Sequence, residues 1–435
     1  MRTSRYLCCG ASIVLLSGAF AVHASIVGTN PPAESLTVDR VNQLPLEQRK
    51  VWLAYLDRSQ LQRRADKREL QDELKTTGLR EAIVPEEGPG ARSIPLDRPP
   101  NWYASVDARH VADVIVSFQT PAGGWSKNLD MSKELRKLGE AFAPNNLSRF
   151  LSPGDFDTPA DSGWNYVGTI DNDATTTQIR FLAKVIAGGG TKDDQSYRKS
   201  FERGVYYLLE AQYPNGGWPQ VWPLEGGYHD AVTYNDDAMP EVLELLHDIA
   251  DKAGEFSFIA NQLQRRAAES FQRGIQCILA SQIESGRRLT VWPQQSDALT
   301  LKPVSARNFE IPSQSTSESA SLLLLLMNDL PHPTLPEQRA VRSSAAWLQK
   351  TAIYDASWER TREGRKLVPQ PGAGPIWPRY LQIGDDKPIF GDRDKSIHDD
   401  VNELSAERRN GYRWYSADPM RALERLKQWE QEHPQ

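Results

Sequence analysis

The sequence predicts an all-α fold, an α/α toroid, on two observations. One is a motif that recurs along the chain; the other is helical periodicity broken by loops rich in Gly and Pro. The motif is Gln, three residues, Gly, one residue, Trp, as in Gln119-Thr-Pro-Ala-Gly-Gly-Trp125 and Gln212-Tyr-Pro-Asn-Gly-Gly-Trp218. Helix-like Phe201–Gln212 leads into the second copy, and the related Phe271–Gln282 leads into Val291-Trp292-Pro293. A repeat several tens of residues long signals stacked helical hairpins, each burying its apolar face on the next. The Gly/Trp turns then gather at one end to build a site, and their tryptophans look exposed.

Each segment has a reading in chain order. Arg2 and Arg5 precede the apolar run Ala11–Phe20, and Val22-His-Ala24 offers small residues for cleavage, so residues 1–24 read as a secretory signal peptide. The expected location is exported, periplasmic or extracellular. Cys8 and Cys9 leave with the leader and Cys277 stands alone, so a large core rather than a disulfide carries stability. No later segment is long and apolar enough to span a bilayer.

Of the 51 basic residues, 49 remain without Arg2 and Arg5, against 57 acidic ones, a formal charge of −8. A nucleic-acid binder carries the opposite sign, so no nucleic-acid or membrane partner is expected. An anionic substrate is still allowed where local cations or a metal overcome the overall field. No obligatory partner is indicated, and a monomer is expected.

Residues 25–97 read as an appendage. From Leu44 a helix with apolar positions at spacings of three and four continues, highly charged, to about Lys75, and Glu86–Arg92 is a linker by composition. Residues 98–435 read as one domain. Within it, Asp171-Asn-Asp, Asn235-Asp-Asp and Ser313–Ser319 precede the apolar helical runs at Ile179, Val242 and Leu322. Such residues cap helices. One cap needs one side chain, however, and two of these loops carry two aspartates beside an asparagine. Asp171 or Asp173, with Asp236 or Asp237, can supply oxygens to a hard cation such as Ca²⁺. Arg307 has Glu310 or Glu318 as candidate ion-pair partners, and Arg393 has Asp392 and Asp394. Trp125 and Trp218 either stack on sugar or wedge the repeats together, with the wedge favoured. His229 and His398 are expected at the surface.

Six ordered motifs carry a resemblance. They are Gly123–Asn128, Thr169–Thr177, Tyr234–Met239, Ala306-Arg-Asn-Phe-Glu310, Pro388–Asp394 and Glu407–Tyr415. Over roughly residues 100–416 the chain resembles the pectate lyases of polysaccharide lyase family 10. The resemblance implies an (α/α)3 toroid and calcium-dependent β-elimination in de-esterified polygalacturonate. It implies calcium at Asp171, Asp236 and Asp237, Arg307 as the base, and substrate contacts from Lys127, Asn172, Asn235, Arg393 and Tyr412. An arginine base requires a depressed pKa and implies an alkaline optimum. Two departures stand out. Ser296 replaces the family's usual histidine, and the Ser313–Ser319 loop is longer and more polar than usual.

Other chemistries fit less of the chain. A terpenoid cyclase shares the Gln/Trp repeat, but an exported polar chain with Arg307, Lys127 and Arg393 suits no carbocation. A lyase for another uronate polymer, an inverting glycosidase with two carboxylates and a decayed pectin-binding protein remain as alternatives.

Overall fold

The computed structural model describes residues 26–189 and 194–434, so the leader and its cysteines lie outside the described residues. The chain begins with a strand, Ile26–Thr29, and the short helix α1 (Val38–Asn42). The long helix α2 follows (Leu46–Thr77), ending at Gly78 in the left-handed conformation with its amide on Leu74 and Lys75 carbonyls. The remaining helices are α3 (Val106–Ser117), α4 (Thr176–Ala187), α5 (Asp194–Ala211), α6 (Ala238–Asp251), α7 (Asn261–Ser281), α8 (Thr316–Asn328), α9 (Leu335–Thr351), α10 (Ala406–Gly411) and α11 (Pro419–Glu432). Strands are short and lie in the loops.

The helices form two rows. α3, α5, α7 and α9 pack in succession, and α4, α6, α8 and α11 pack against them and each other. The second row holds the densest part of the core, with Leu182, Val242, Leu246, Leu322 and Leu326 fully enclosed.

The sequence motif is the joint between the rows. Trp125, Trp218 and Trp292 are fully buried, correcting the expectation of exposed rings. Their indole Nε1 atoms donate to Ile115, Leu208 and Ile278 carbonyls at 2.7, 2.8 and 2.7 Å. They are wedges, the reading the sequence favoured. A fourth copy, Trp377, donates to Leu348 at 2.8 Å. The hairpin Ala356–Thr361/Gly364–Pro369 separates Trp377 from its helix and hides the repeat.

The motif glutamine is a clamp. Gln119 donates to Gly123 and to Ser200 of the next helix in its row (2.7 and 2.9 Å). Gln212 does the same to Gly216 and Ser270, both at 2.9 Å, and Gln282 to Thr290 and Ala340 at 3.0 and 3.2 Å. The glycines let the next helix approach. Gly123 and Gly216 have φ of 108° and 95°, and a side chain there would strike the Arg203 and Arg273 backbones.

Residues 26–97 are not an appendage. The buried face of α2 (Trp52, Tyr55, Ser59, Asp66, Leu70) joins the body, where Tyr55 packs at a tilt against the Tyr213 ring and donates to Ala211 at 2.8 Å. The thin apolar stripe on a charged helix explains the misreading: most of α2 faces water.

Candidate functional site

The loops that follow each tryptophan carry the chemistry. The residue two positions after each anchor is Lys127, Gln220, Gln294 or Arg379. Lys127 Nζ lies 2.5 Å from Asp171 Oδ2 and 3.5 Å above the Tyr166 ring. Arg379, which sequence reasoning missed, is half-buried and pairs with Glu318. Its signal was available in Trp377-Pro-Arg379, a variant of the Trp292-Pro-Gln294 pattern.

The two acid-rich loops have one shape. Asn172 and Asp173 have φ of 52° and 59°, and Asp236 and Asp237 have 51° and 56°. Two successive left-handed non-glycine residues are costly, and their recurrence in both loops marks a conformation kept for a purpose. The aspartates do not cap: α4 and α6 start at Thr176 and Ala238 without a side-chain cap bond. Asp171 is buried, whereas Asn172, Asp173, Asp236 and Asp237 are exposed. Asn235 is buried, with its carboxamide engaged by Thr233 (2.8 Å) and Asp236 (3.1 Å), so it shapes the loop.

Calcium was expected here. Among the described residues, no three acidic, Cys or His side chains gather closely enough to hold a metal alone. The donors fit part of a shell. Asp171 Oδ1 is buried without a hydrogen-bond partner. Although the tips of Asp173 and Asp236 reach solvent, the crowded loops shed water around the carboxylates. This and then Asp171 raise the Asp236 pKa, and the same loss of water followed by Asp237, Asp236 and Asp171 raises that of Asp173. An unsatisfied carboxylate oxygen amid crowded negative charge suits a hard cation, provided further oxygens come from a ligand.

Arg307 occupies a tight turn in which Ala306 N–H donates to Glu310 O at 3.2 Å. Its guanidinium makes a two-pronged contact with Glu310 at 2.9 and 2.6 Å, so Glu310 rather than Glu318 is its partner. Burial acts to lower the arginine's pKa, but the Glu310 charge and hydrogen bonds drive it well above the ordinary value. Burial would raise Glu310, yet Arg307 and then Arg379 bring it down to about 2. Tyr412 donates to Glu310 at 3.0 Å and lies 2.6 Å from the Tyr380 hydroxyl, while Arg379 sits over its ring at 4.8 Å. The isolated turn thus keeps Arg307 protonated, contrary to the depressed pKa a base needs.

Arg393 pairs with Glu407 at 2.7 Å, not with Asp392 or Asp394. Arg307, Arg393 and Arg408 all lie over the Phe309 ring, at 4.8, 5.4 and 4.1 Å. Asn308 fastens this corner, donating to Arg393 O at 2.6 Å and Asp155 at 2.8 Å. The Phe309 ring thus gathers three guanidinium groups around it.

Both histidines expected at the surface are buried. His398 bridges Ser396 and Glu403 at 2.8 and 3.0 Å. His229 stacks on Tyr228 at 4.1 Å, meets Tyr166 edge-on and leaves Nε2 unpartnered. Burial, then Lys127, lowers its pKa to about 3, so it is neutral. Ser296 is buried in a strand pair with Val232, its Oγ unpartnered. In the Ser313–Ser319 loop, Ser313–Thr316, Glu318 and Ser319 are buried, and Glu318 meets Arg379.

The mouth thus joins Lys127, the acid loops, the Arg307 turn and the Arg379/Arg393 cations. A family model described as pectic acid lyase matches residues 119–423. Among solved structures, the chain is similar to a family 10 polysaccharide lyase from Cellvibrio cellulosa, with 30% identity and a TM-score of 0.63, covering 78% of this chain and 97% of that one. A single-residue variant of that family 10 lyase from the same organism, in complex with trigalacturonic acid, matches at 29% identity and TM-score 0.63, covering 78% and 99%. No match is found among curated proteins.

Proposed function

Because this chain belongs to the pectic acid lyase family and is a polysaccharide lyase, we propose that it cleaves de-esterified polygalacturonate by β-elimination on an (α/α)3 toroid. The observation that carries the reading is the meeting of Arg307, Lys127, Arg379 and Arg393 with two acid loops at one mouth. A relative crystallised with trigalacturonic acid supports the substrate class.

Elimination removes the C5 proton beside an ionised carboxylate and breaks the C4–O bond. The negative charge that develops must be met by fixed positive charge. Lys127 offers a point charge and Arg393 a planar fork to uronate carboxylates. Asn172, exposed at the tip of its loop, and Tyr412 would add substrate contacts. Asp171 and Asp236, with Asp237 adding charge, would hold calcium, which when bound supplies neutralisation of the substrate carboxylate.

Arg307 is assigned the role of base. Its pairing with Glu310 sets the cost: neutral guanidine is scarce, so the rate climbs with pH well into the alkaline range. That same pairing favours a second reading, in which Arg307 stays protonated and stabilises the developing charge. Export to a periplasm or beyond the cell belongs to the proposal, on the leader pattern.

The test is ultraviolet detection of unsaturated product from polygalacturonate at alkaline pH, with Ca²⁺ and then EDTA. A calcium-dependent rise supports the reading. Product from alginate or a glycosaminoglycan instead, or oligogalacturonate binding without turnover, overturns it.

A further inference from the structure

The Arg307 turn is braced by the start of the chain. Asn30 is 1% exposed and follows directly on the strand Ile26–Thr29. Its single carboxamide nitrogen faces three carbonyls of the turn: Arg307 O at 3.3 Å, Asn308 O at 2.9 Å and Glu310 O at 3.1 Å. Its own amide N–H donates to Lys395 O at 2.7 Å, two residues beyond Arg393. The preceding strand pairs with Ser396–His398, which in turn pairs with Phe390–Gly391. Gly391 lies so close to Phe309 that a side chain there would strike the Phe309 carbonyl.

Two further contacts extend the brace. Ser305 Oγ donates to Pro31 O, and Arg40 pairs with Asp297 at 2.8 Å. One N-terminal segment therefore grips residues 297–310 at three points and, through its strand, the 390–398 turn that carries Arg393. Within the body, the Ala306 and Glu310 amides reach the Glu310 and Arg307 carbonyls and Asn308 reaches Arg393 O; Asn30 adds a brace to the same turn from the N-terminal segment. The family match begins only at residue 119, beyond this segment.

We propose that Asn30 is a positioning residue for the reaction, locking the Arg307–Glu310 turn against the Arg393 turn so that both guanidinium groups meet one substrate in fixed register. It touches neither guanidinium and acts only through the backbone. The proposal rests on the lyase reading for its kinetic consequence, but the brace itself is testable without turnover. Displacing a catalytic group by about 1 Å costs on the order of 100-fold, so a modest loosening reaches the rate.

The experiment compares Asn30→Asp, Asn30→Ser and Tyr55→Phe with the parent protein. Asn30→Asp keeps the shape and removes the N–H donors; Asn30→Ser keeps one donor. Tyr55→Phe removes the bond to Ala211 O elsewhere in the same segment, as a control for docking. In the expected result, Asn30→Asp lowers kcat on polygalacturonate about 10- to 100-fold with KM within about twofold. Asn30→Ser falls between, and Tyr55→Phe keeps the parental kcat. Hydrogen exchange at the 305–311 amides accelerates in Asn30→Asp and not in Tyr55→Phe.

A folded Asn30→Asp with parental kcat and parental exchange overturns the proposal. So does a loss of kcat matched by Tyr55→Phe, which would make the segment a general prop. Should Asn30→Asp fail to fold, Asn30→Ser decides by the same two readouts. If the parent protein shows no elimination at all, the lyase reading falls, and the exchange comparison alone decides whether Asn30 holds the turn.

Discussion

Two rows of side chains run along the same four loops, and they differ in how their polar atoms are used. In the anchor row, Trp125, Trp218, Trp292 and Trp377 are each buried with the indole N–H bonded at 2.7–2.8 Å. Two residues on, Lys127, Gln220, Gln294 and Arg379 share that backbone, yet Gln220 Oε1, Gln294 Nε2 and Arg379 Nε are buried and unpartnered. Asp171 Oδ1 and His229 Nε2 join them. Buried polar groups are nearly always satisfied, because leaving one unmade costs about 1–3 kcal/mol. The repeat gives its first row one task, holding the fold, and puts the charged and amide side chains of the second row beside the acid loops.

Substitutions that pull the rows apart test this, and the largest effect is expected at Arg307. Arg307→Ala should lower kcat of the folded protein by about 10³- to 10⁴-fold if the side chain is the base, and should also lower the melting temperature, because Glu310 is left buried without its partner. Steady-state kinetics on the folded fraction beside a thermal melt checks both effects, and a parental kcat in that fraction would erase the distinction. Trp218→Ala should act on stability alone, costing about 3–5 kcal/mol through the cavity it leaves. Denaturant unfolding measures it, and the folded fraction should keep its kcat. Gln212→Ala removes both clamp bonds and also the acceptor that Ser270 Oγ and Arg273 use. About 1–3 kcal/mol is expected in the same unfolding assay, again without a kinetic effect.

Asp66 sharpens the comparison from the other side. Its Oδ2 is also buried and unpartnered, but it lies under α2, away from the mouth. Burial raises its pKa to about 7, so a proton rather than a ligand meets the need. A carboxyl whose folded pKa exceeds its unfolded value contributes stability at low pH that is lost as pH rises through about 7. Asp66→Asn should therefore be nearly neutral at acid pH and more stable than the parent above neutrality, by roughly 1–3 kcal/mol. Melts across pH would show it. Burial lifts Glu225 and Asp230 to about 7 in the same way, so they add to the slope.

The anchor row was readable because Gln, Gly and Trp recur at fixed spacing and each residue has one geometric task. The fourth anchor was not, since an inserted hairpin destroys the spacing. Candidate site residues stood out where acids and cations sit in motifs, as at Asp171, Asp236, Lys127 and Arg307. Arg379 escaped because it is not unusual alone, and with it went the true partner of Glu318; only folding brings the fourth loop onto the third helix start. Asn30 was invisible for the same reason: its partners lie 277 to 280 residues away. The histidines were misplaced because their burial depends on aromatic neighbours such as Tyr166 and Tyr228 that no local pattern announces.

The role of Arg307 is the point on which the account turns, since Glu310 holds it protonated in the free protein. The most direct measurement is the pH dependence of kcat for the parent and Arg307→Lys. A lysine amine loses its proton about two to three pH units below a guanidinium. The account predicts that Arg307→Lys keeps measurable elimination with its rising limb moved to lower pH. An unmoved limb in an active Arg307→Lys would contradict it and leave Arg307 as a fixed charge.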